Sequence, residues 1–251
     1  MDAITTYGWT GLLLFARIGS VLMLAPGWGE AAVPVRFRLT AALLATAVLA
    51  PSLSPGMPSA PASMGGTISL VLGELLIGIM FGAGARILMS ALQVGGQLIG
   101  MQSGLAMAQQ FDPTQGSSGA LISVFLSMIA VVLMLNAGVH RMMLQAAADS
   151  YSVFPPGGTP PVGDAANWGL SAVSAAFRIG LQIAAPVLVF ALVFNLALGL
   201  ISRLIPQVQI FFIAQPAQVI MGLSVTAFVL GGGLLIWIEA LERYARFETM
   251  F

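Results

Sequence analysis

Residues 95–119 read GGQLIGMQSGLAMAQQFDPTQGSSG and separate two strongly apolar segments. The stretch combines glycines, serines and glutamines with a single aromatic, Phe111, which stands directly before the Asp112-Pro113 turn. Non-helical backbone is tolerated at membrane depth only where it faces a cavity or another protein. We therefore expect this segment to face a cavity or a neighbouring subunit, which makes it the first candidate for function.

The composition around this segment is that of a polytopic membrane protein. Of 251 residues, 58% are hydrophobic and 7% are charged, and the mean hydropathy is +0.97. Soluble domains of this size carry about 25% charged residues. Nine arginines balance nine acids, so we expect no basic face for nucleic acid.

Catalytic and metal-binding chemistry is poorly supported by the residue types. The chain has no cysteine and one histidine, His140, which cannot supply a disulfide, a thiolate metal site or a multi-histidine cage. The few titratable residues do not form a recognisable set of nucleophile, base and orienting group. We expect neither a cofactor nor an enzymatic activity.

Six apolar segments predict an all-α fold of membrane-type helical hairpins. A helix needs about 20 apolar residues to cross a bilayer, and the segments differ in how well they meet that length. They lie at residues 9–26, 39–51, 68–92, 120–139, 168–201 and 216–238.

Four charged residues fall inside these apolar segments. They are Arg17, Glu74, Arg86 and Arg178. Intramembrane charges usually face the interior of a helix bundle, a cavity or a partner. A structural ion pair of Glu74 with Arg17 or Arg178 is one interpretation, and a transport or proton-relay role is the other.

Glycines at helical spacing predict close helix contacts. Gly78 and Gly82 are four residues apart, and Gly96, Gly100 and Gly104 continue at the same spacing. Such rows let a second helix approach closely. Because the second row lies in a stretch too polar to face lipid, we favour contact with a neighbouring subunit there over packing within the chain.

Several runs together resemble the FliR/SctT family of type III secretion export-gate subunits, whose flagellar members are called flagellar biosynthetic protein FliR. Their order and spacing cover most of the chain. They lie at residues 15–29, 33–39, 49–51, 73–78, 96–108, 111–113, 149–157, 198–207, 209–211 and 216. The chain departs from the pattern at Gln97, where many family members carry Glu.

The resemblance implies an export-gate subunit that assembles with FliP-like and FliQ-like membrane proteins and contacts an FlhB-like one. Unfolded flagellar proteins would cross the bacterial inner membrane through this gate at the flagellar basal body. The family also implies FliP-like and FliQ-like hairpins packed into a helical assembly, so that six apolar segments need not be six spans. Expected partners therefore include transient unfolded export substrates and membrane lipids.

The resemblance also implies a pore plug in the opening segment. The residues concerned are Met107, Gln109, Gln110, Phe111, Asp112 and Pro113. We expect one integral-membrane export-gate domain over residues 1–251, with N-terminal hairpins at 1–92, the plug segment at 93–119 and C-terminal helices at 120–251. Two rival functions remain at this point: a small-molecule or ion permease that uses Glu74 and the intramembrane arginines, and a purely structural membrane scaffold.

Overall fold

The computed structural model describes residues 2–30, 33–103, 118–158, 162–207 and 209–246. These residues form seven α-helices and no strand, so the all-α prediction is confirmed. The helices are α1 (Asp2–Leu24), α2 (Val35–Leu53), α3 (Met64–Gln102), α4 (Ser118–Asn136), α5 (Val139–Val153), α6 (Val162–Leu204) and α7 (Ile210–Ala245). A short 3-10 turn at Ser54–Gly56 follows α2.

Among the described residues, five helices are long and apolar enough to cross a membrane. They are α1, α2, α3, α6 and α7. Helices α4 and α5 would supply a sixth span as one broken pair, bent by 68°. The bend lies next to Gly138, whose φ of 74° is a backbone conformation that glycine adopts without steric cost.

The first of two compact units comprises residues 1–87, 134–172 and 241–251. Its core joins α1, α2 and α5 around Leu14, Ile18 and Tyr151. Along α5, the buried side chains of Val139, Met143, Ala146, Ala147, Ser150 and Tyr151 recur at helical spacing on one face. Helix α5 therefore packs inward along its whole length.

Helix α3 approaches α1 through Gly78 and Gly82. A methyl group at Gly82 would lie 2.6 Å from the Leu24 Cβ and 3.0 Å from the Val21 carbonyl oxygen. A methyl group at Gly78 would overlap both Ser20 and the Arg17 carbonyl. The two glycines therefore allow the backbones of α1 and α3 to meet.

We expect Gly78→Ala to lower the free energy of unfolding by about 1–3 kcal/mol, because the added methyl group must displace α1 backbone. Gly11→Ala is the matched control: it lies on α1, and no heavy atom lies within 4 Å of the added carbon. The control should be neutral or stabilising by up to about 1 kcal/mol, since alanine favours helix. Unfolding both variants in detergent checks this, and equal stabilities would contradict the close approach.

The second unit comprises residues 88–133 and 173–240. Here α3 and α6 meet at Gly180, where an added methyl group would lie 2.7 Å from the Ala91 carbonyl oxygen. Trp237 of α7 is fully buried, and its indole Nε1 donates a hydrogen bond of 3.0 Å to the Leu88 carbonyl. These contacts join α3, α6 and α7 through small residues and one large aromatic.

Two boundaries differ from the sequence expectation. The short apolar segment at 39–51 belongs to a longer helix, α2, which runs through Pro51 to Leu53. The segment at 68–92 continues to Gln102 in α3, so Gly96 and Gly100 are helical. Polar residues such as Gln93 and Gln97 ended the apolar run in the sequence without ending the helix.

Candidate functional site

The centre of the first unit is a buried ion pair between Arg17 of α1 and Glu74 of α3. The Arg17 Nε donates to Oε2 of Glu74 at 2.7 Å, and Nη2 donates to Oε1 at 3.0 Å. The two side chains are 0% and 3% exposed. This two-point geometry is the strongest arrangement available to an arginine and a carboxylate.

Helix α5 supplies the remaining partners of Arg17. Nη1 donates to the Ser150 carbonyl at 3.1 Å and to its Oγ at 3.2 Å, and Nη2 also donates to the Phe154 carbonyl at 2.9 Å. Together with the contacts to Glu74, these bonds use all five donors of the guanidinium. The ring of Tyr151 lies with its centroid 4.0 Å from the Arg17 Cζ.

This arrangement fits a structural function better than ion coupling. Arg17 holds α1, α3 and α5 at one point, and every one of its N–H groups has an acceptor. A group that couples ion transport must exchange its partner during each cycle. Removing one member of a fully buried pair leaves a costly unpaired charge, which opposes such an exchange. Of the two pairings that the sequence allowed for Glu74, the structure shows the one with Arg17.

Neither of the other two arginines inside the apolar segments contributes to this ion pair. Arg86 donates from Nη1 to the Gly29 carbonyl at 3.2 Å, so it holds the turn that follows α1. Arg178 is exposed on α6. The structure thus brings together two of the four charged residues singled out in the sequence.

A second feature is the pair of helix ends, the last turns of α3 and the first turns of α4, that flank the polar segment at residues 104–117. Helix α4 lies against α3 at Gly96, where an added methyl group would be 2.6 Å from the Ser123 Cα. The Ser123 Oγ also donates to the Gln93 carbonyl at 3.2 Å. The first turns of α4 are therefore fixed to the last turns of α3.

Helix α7 holds the end of α3 from another side. The Gln218 Nε2 donates to the Gln102 carbonyl at 3.2 Å. Gly222 faces Ser103, and an added methyl group there would lie 3.0 Å from the Ser103 Cβ. Both ends of the polar segment are thus anchored to helices of the second unit.

The predicted plug residues lie outside the described residues. These are Met107, Gln109, Gln110, Phe111, Asp112 and Pro113, and Gly104 lies there too. Of the glycine row, Gly96 packs against Ser123 of the same chain and Gly100 is buried. The proposed subunit contact of this row stays a prediction.

Sequence reasoning missed the partners that α5 and α7 contribute. Ser150 and Tyr151 contact Arg17, and Gln218 caps α3. The apolar period along residues 139–151 was a usable signal for α5 as a separate amphipathic helix. No local pattern marks Gln218, since its acceptor lies 116 residues away.

Comparison with known proteins gives matches over most of the chain. Residues 9–244 match the bacterial export proteins, family 1. The chain is 40% identical over 239 residues to flagellar biosynthetic protein FliR of Caulobacter vibrioides, covering 95% of this chain and 94% of that protein. The proteins of the same name from Escherichia coli and Bacillus subtilis are 31% and 29% identical, and cover 84% and 83% of this chain and 80% and 81% of their own lengths.

Proposed function

Because this chain belongs to family 1 of the bacterial export proteins and is a subunit of the flagellar export apparatus, we propose that it helps to form and seal an export gate. The gate is an assembly with FliP-like, FliQ-like and FlhB-like membrane proteins. Unfolded flagellar proteins pass through it, and residues 104–117 close it at rest. The whole chain acts as one export-gate domain.

The anchoring of the polar segment carries this proposal. Residues 104–117 connect Ser103, which lies against Gly222, to α4, which is fixed to α3 at Ser123. The segment therefore has two fixed ends. A pore seal needs them, because the sealing residues must return to one place after each substrate has passed.

The chemistry of the segment suits a seal that opens. Phe111 and Met107 offer apolar contacts, and methionine adapts its shape to irregular partners. Gly104 and Gly116 give backbone freedom at the two ends, and the Asp112-Pro113 step favours a turn. An apolar constriction blocks ions by excluding water, and it can yield to a chain that offers replacement contacts.

Membership of the family and the apolar helices fit a multi-pass inner-membrane component of the export apparatus. We assign it further to the flagellar basal body. The family is a structural part of that apparatus, which implies a role without catalysis.

A permease that uses Glu74 and the intramembrane arginines is not favoured. Glu74 is already held by two donors of Arg17. A cavity of about 400 Å³ in the first unit is lined by apolar residues such as Met80, Ile87 and Trp168, which offer no groups for binding a polar solute.

Co-purification tests the assembly. The tagged full-length chain, expressed from its own genome and extracted in mild detergent, should retain FliP-like and FliQ-like proteins in a fixed ratio. An unrelated tagged membrane protein of similar size is the control. Recovery of the chain alone, with transport of a small solute after reconstitution, would contradict the gate and favour the permease.

A further inference from the structure

Arg178 is an exposed charge within a predominantly apolar helix. It lies 16 residues after Val162 and 26 before Leu204, the ends of α6. At a rise of 1.5 Å per residue, the nearer end is about 24 Å away. Arg178 therefore lies in the body of α6 and not in one of its end turns.

The described residues around Arg178 leave its charge uncompensated. In the described part of the chain, no carboxylate or carbonyl oxygen is hydrogen-bonded to it. The next residue, Ile179, is buried, and Gly180 packs on Ala91 of α3. The inward face of α6 is therefore occupied, and Arg178 lies on the outward face.

Arg17 shows what the same local sequence does when a partner is present. Residues 17–19 and 178–180 both read Arg-Ile-Gly. In the first, the guanidinium has five acceptor contacts, two of them to Glu74. In the second, the isoleucine is buried in the same way, but the arginine has no acceptor from the described residues.

Two further polar residues share the outward face with Arg178. Ser174 and Gln182 lie four residues before and after it, and all three are exposed. Residues four apart lie about 40° apart around a helix, so the three form a narrow polar strip.

Exposed apolar side chains border this strip. Val173 is 53% exposed, Phe177 59% and Leu181 43%. A surface that faces lipid would not carry these three polar side chains. A surface that faces a water-filled lumen would not favour the exposed apolar ones. The three exposed apolar side chains lie on one side of the strip, and the buried face with Ile179 and Ile183 lies on the other; polar groups beside exposed apolar ones are typical of a packed interface between helices.

We propose that Arg178 is the docking point for a neighbouring subunit of a different sequence, whose apolar helix places an Asp or Glu carboxylate against the guanidinium. This rests on the proposed assembly into an export gate. A carboxylate is the expected partner because a guanidinium fork binds one through two parallel hydrogen bonds. Ser174 and Gln182 then supply neutral hydrogen bonds on either side.

A second copy of this chain is a poor occupant. Among the described residues, Glu74 is the acid that lies midway along an apolar helix, and it is paired with Arg17. The exposed Asp149 lies on the short helix α5, and Glu239 lies near the end of α7 and already has an interaction partner. We therefore expect the carboxylate to come from a different protein.

The test compares arginine variants in the full-length chain, co-expressed with the rest of the export apparatus. Arg178→Gln should lower the amount of FliP-like and FliQ-like protein recovered per chain at least about tenfold, because the partner's carboxylate is left unpaired. Arg178→Lys should retain an intermediate amount, since it keeps the charge but loses the fork. Arg203→Gln, at an exposed arginine in the last turn of the same helix, should recover normal amounts.

Separate readouts distinguish the possible failures. If Arg178→Gln recovers normal amounts, the guanidinium binds lipid or water and the inference is wrong, while the gate itself stands. If the unaltered chain recovers no partners, the proposed function fails as well. If Arg178→Gln reduces the folded chain itself, Arg178 acts within the chain and the inference is wrong.

Photo-crosslinking tests the surface without removing the charge. Replacing Phe177 with p-benzoylphenylalanine keeps an aromatic ring beside Arg178. Crosslinks to a peptide of another subunit with an acid in an apolar stretch would support the docking point. Crosslinks to lipid alone, or to a second copy of this chain, would overturn it.

Discussion

Glu74→Gln should lower the free energy of unfolding of the chain by about 3–5 kcal/mol. The substitution keeps the shape of the side chain but leaves the buried guanidinium of Arg17 without a counter-charge. Stability in detergent and the amount of chain in the membrane would both report the loss. Because total stability is commonly about 5–15 kcal/mol, we expect much of the variant to be degraded.

A double variant separates charge compensation from packing. Arg17→Met with Glu74→Leu removes both charges and retains apolar volume, so it should be more stable than either single variant. It should not reach the stability of the unaltered chain, because the Phe154 carbonyl loses the donor that Arg17 supplies and the Ser150 carbonyl keeps only the Phe154 N–H. If the double variant loses as much as the two single variants combined, the charges do not compensate each other.

Exchanging the two charges should fail. In Arg17→Glu with Glu74→Arg, the new carboxylate at position 17 would face the carbonyl oxygens of Ser150 and Phe154, and all of these groups are acceptors. The same stability measurement checks this. Full recovery by the exchange would show that α5 takes no part in the site, in contradiction to the structure.

The sequence predicts the helices well because apolar length is a local property. The segments at 68–92, 168–201 and 216–238 all lie inside long helices. The boundaries were less predictable, because α3 continues through the amides of Gln93 and Gln97 to Gln102. A helix can continue through glutamine residues when their side chains face another protein or a water-filled lumen.

The partner of Glu74 could not be chosen from sequence alone. Arg17 lies 57 residues away along the chain, and Arg178 was an equal candidate by residue type. The choice depends on the close approach of α1 and α3 at Gly78 and on the position of α5. Both are properties of tertiary packing, which local periodicity does not encode.

The pore-plug hypothesis predicts the largest functional effect. Deleting residues 110–115 removes Phe111 and the Asp112-Pro113 turn while leaving the anchored ends at Ser103 and Ser123 in place. We expect an ion leak at least about tenfold above that of the unaltered gate, because a constriction that excludes water is lost. The chain should still assemble, since the deletion leaves the seven described helices intact.

Two matched substitutions separate the apolar seal from the length of the segment. Phe111→Leu keeps an apolar side chain and should preserve most of the seal. Phe111→Ser keeps the length and the turn but removes the apolar contact, so its leak should approach that of the deletion. Equal leaks for Leu and Ser would assign the closure to the backbone rather than to Phe111.

The most direct measurement is the ion leak across membranes that contain the complete assembled gate, with and without residues 110–115. Equal amounts of co-purifying partners in the two samples must first show that both gates have assembled. We expect a sealed membrane with the unaltered chain and a dissipated ion gradient with the deletion. A membrane that stays equally tight with the assembled deletion variant would contradict the role of this segment in closing the gate.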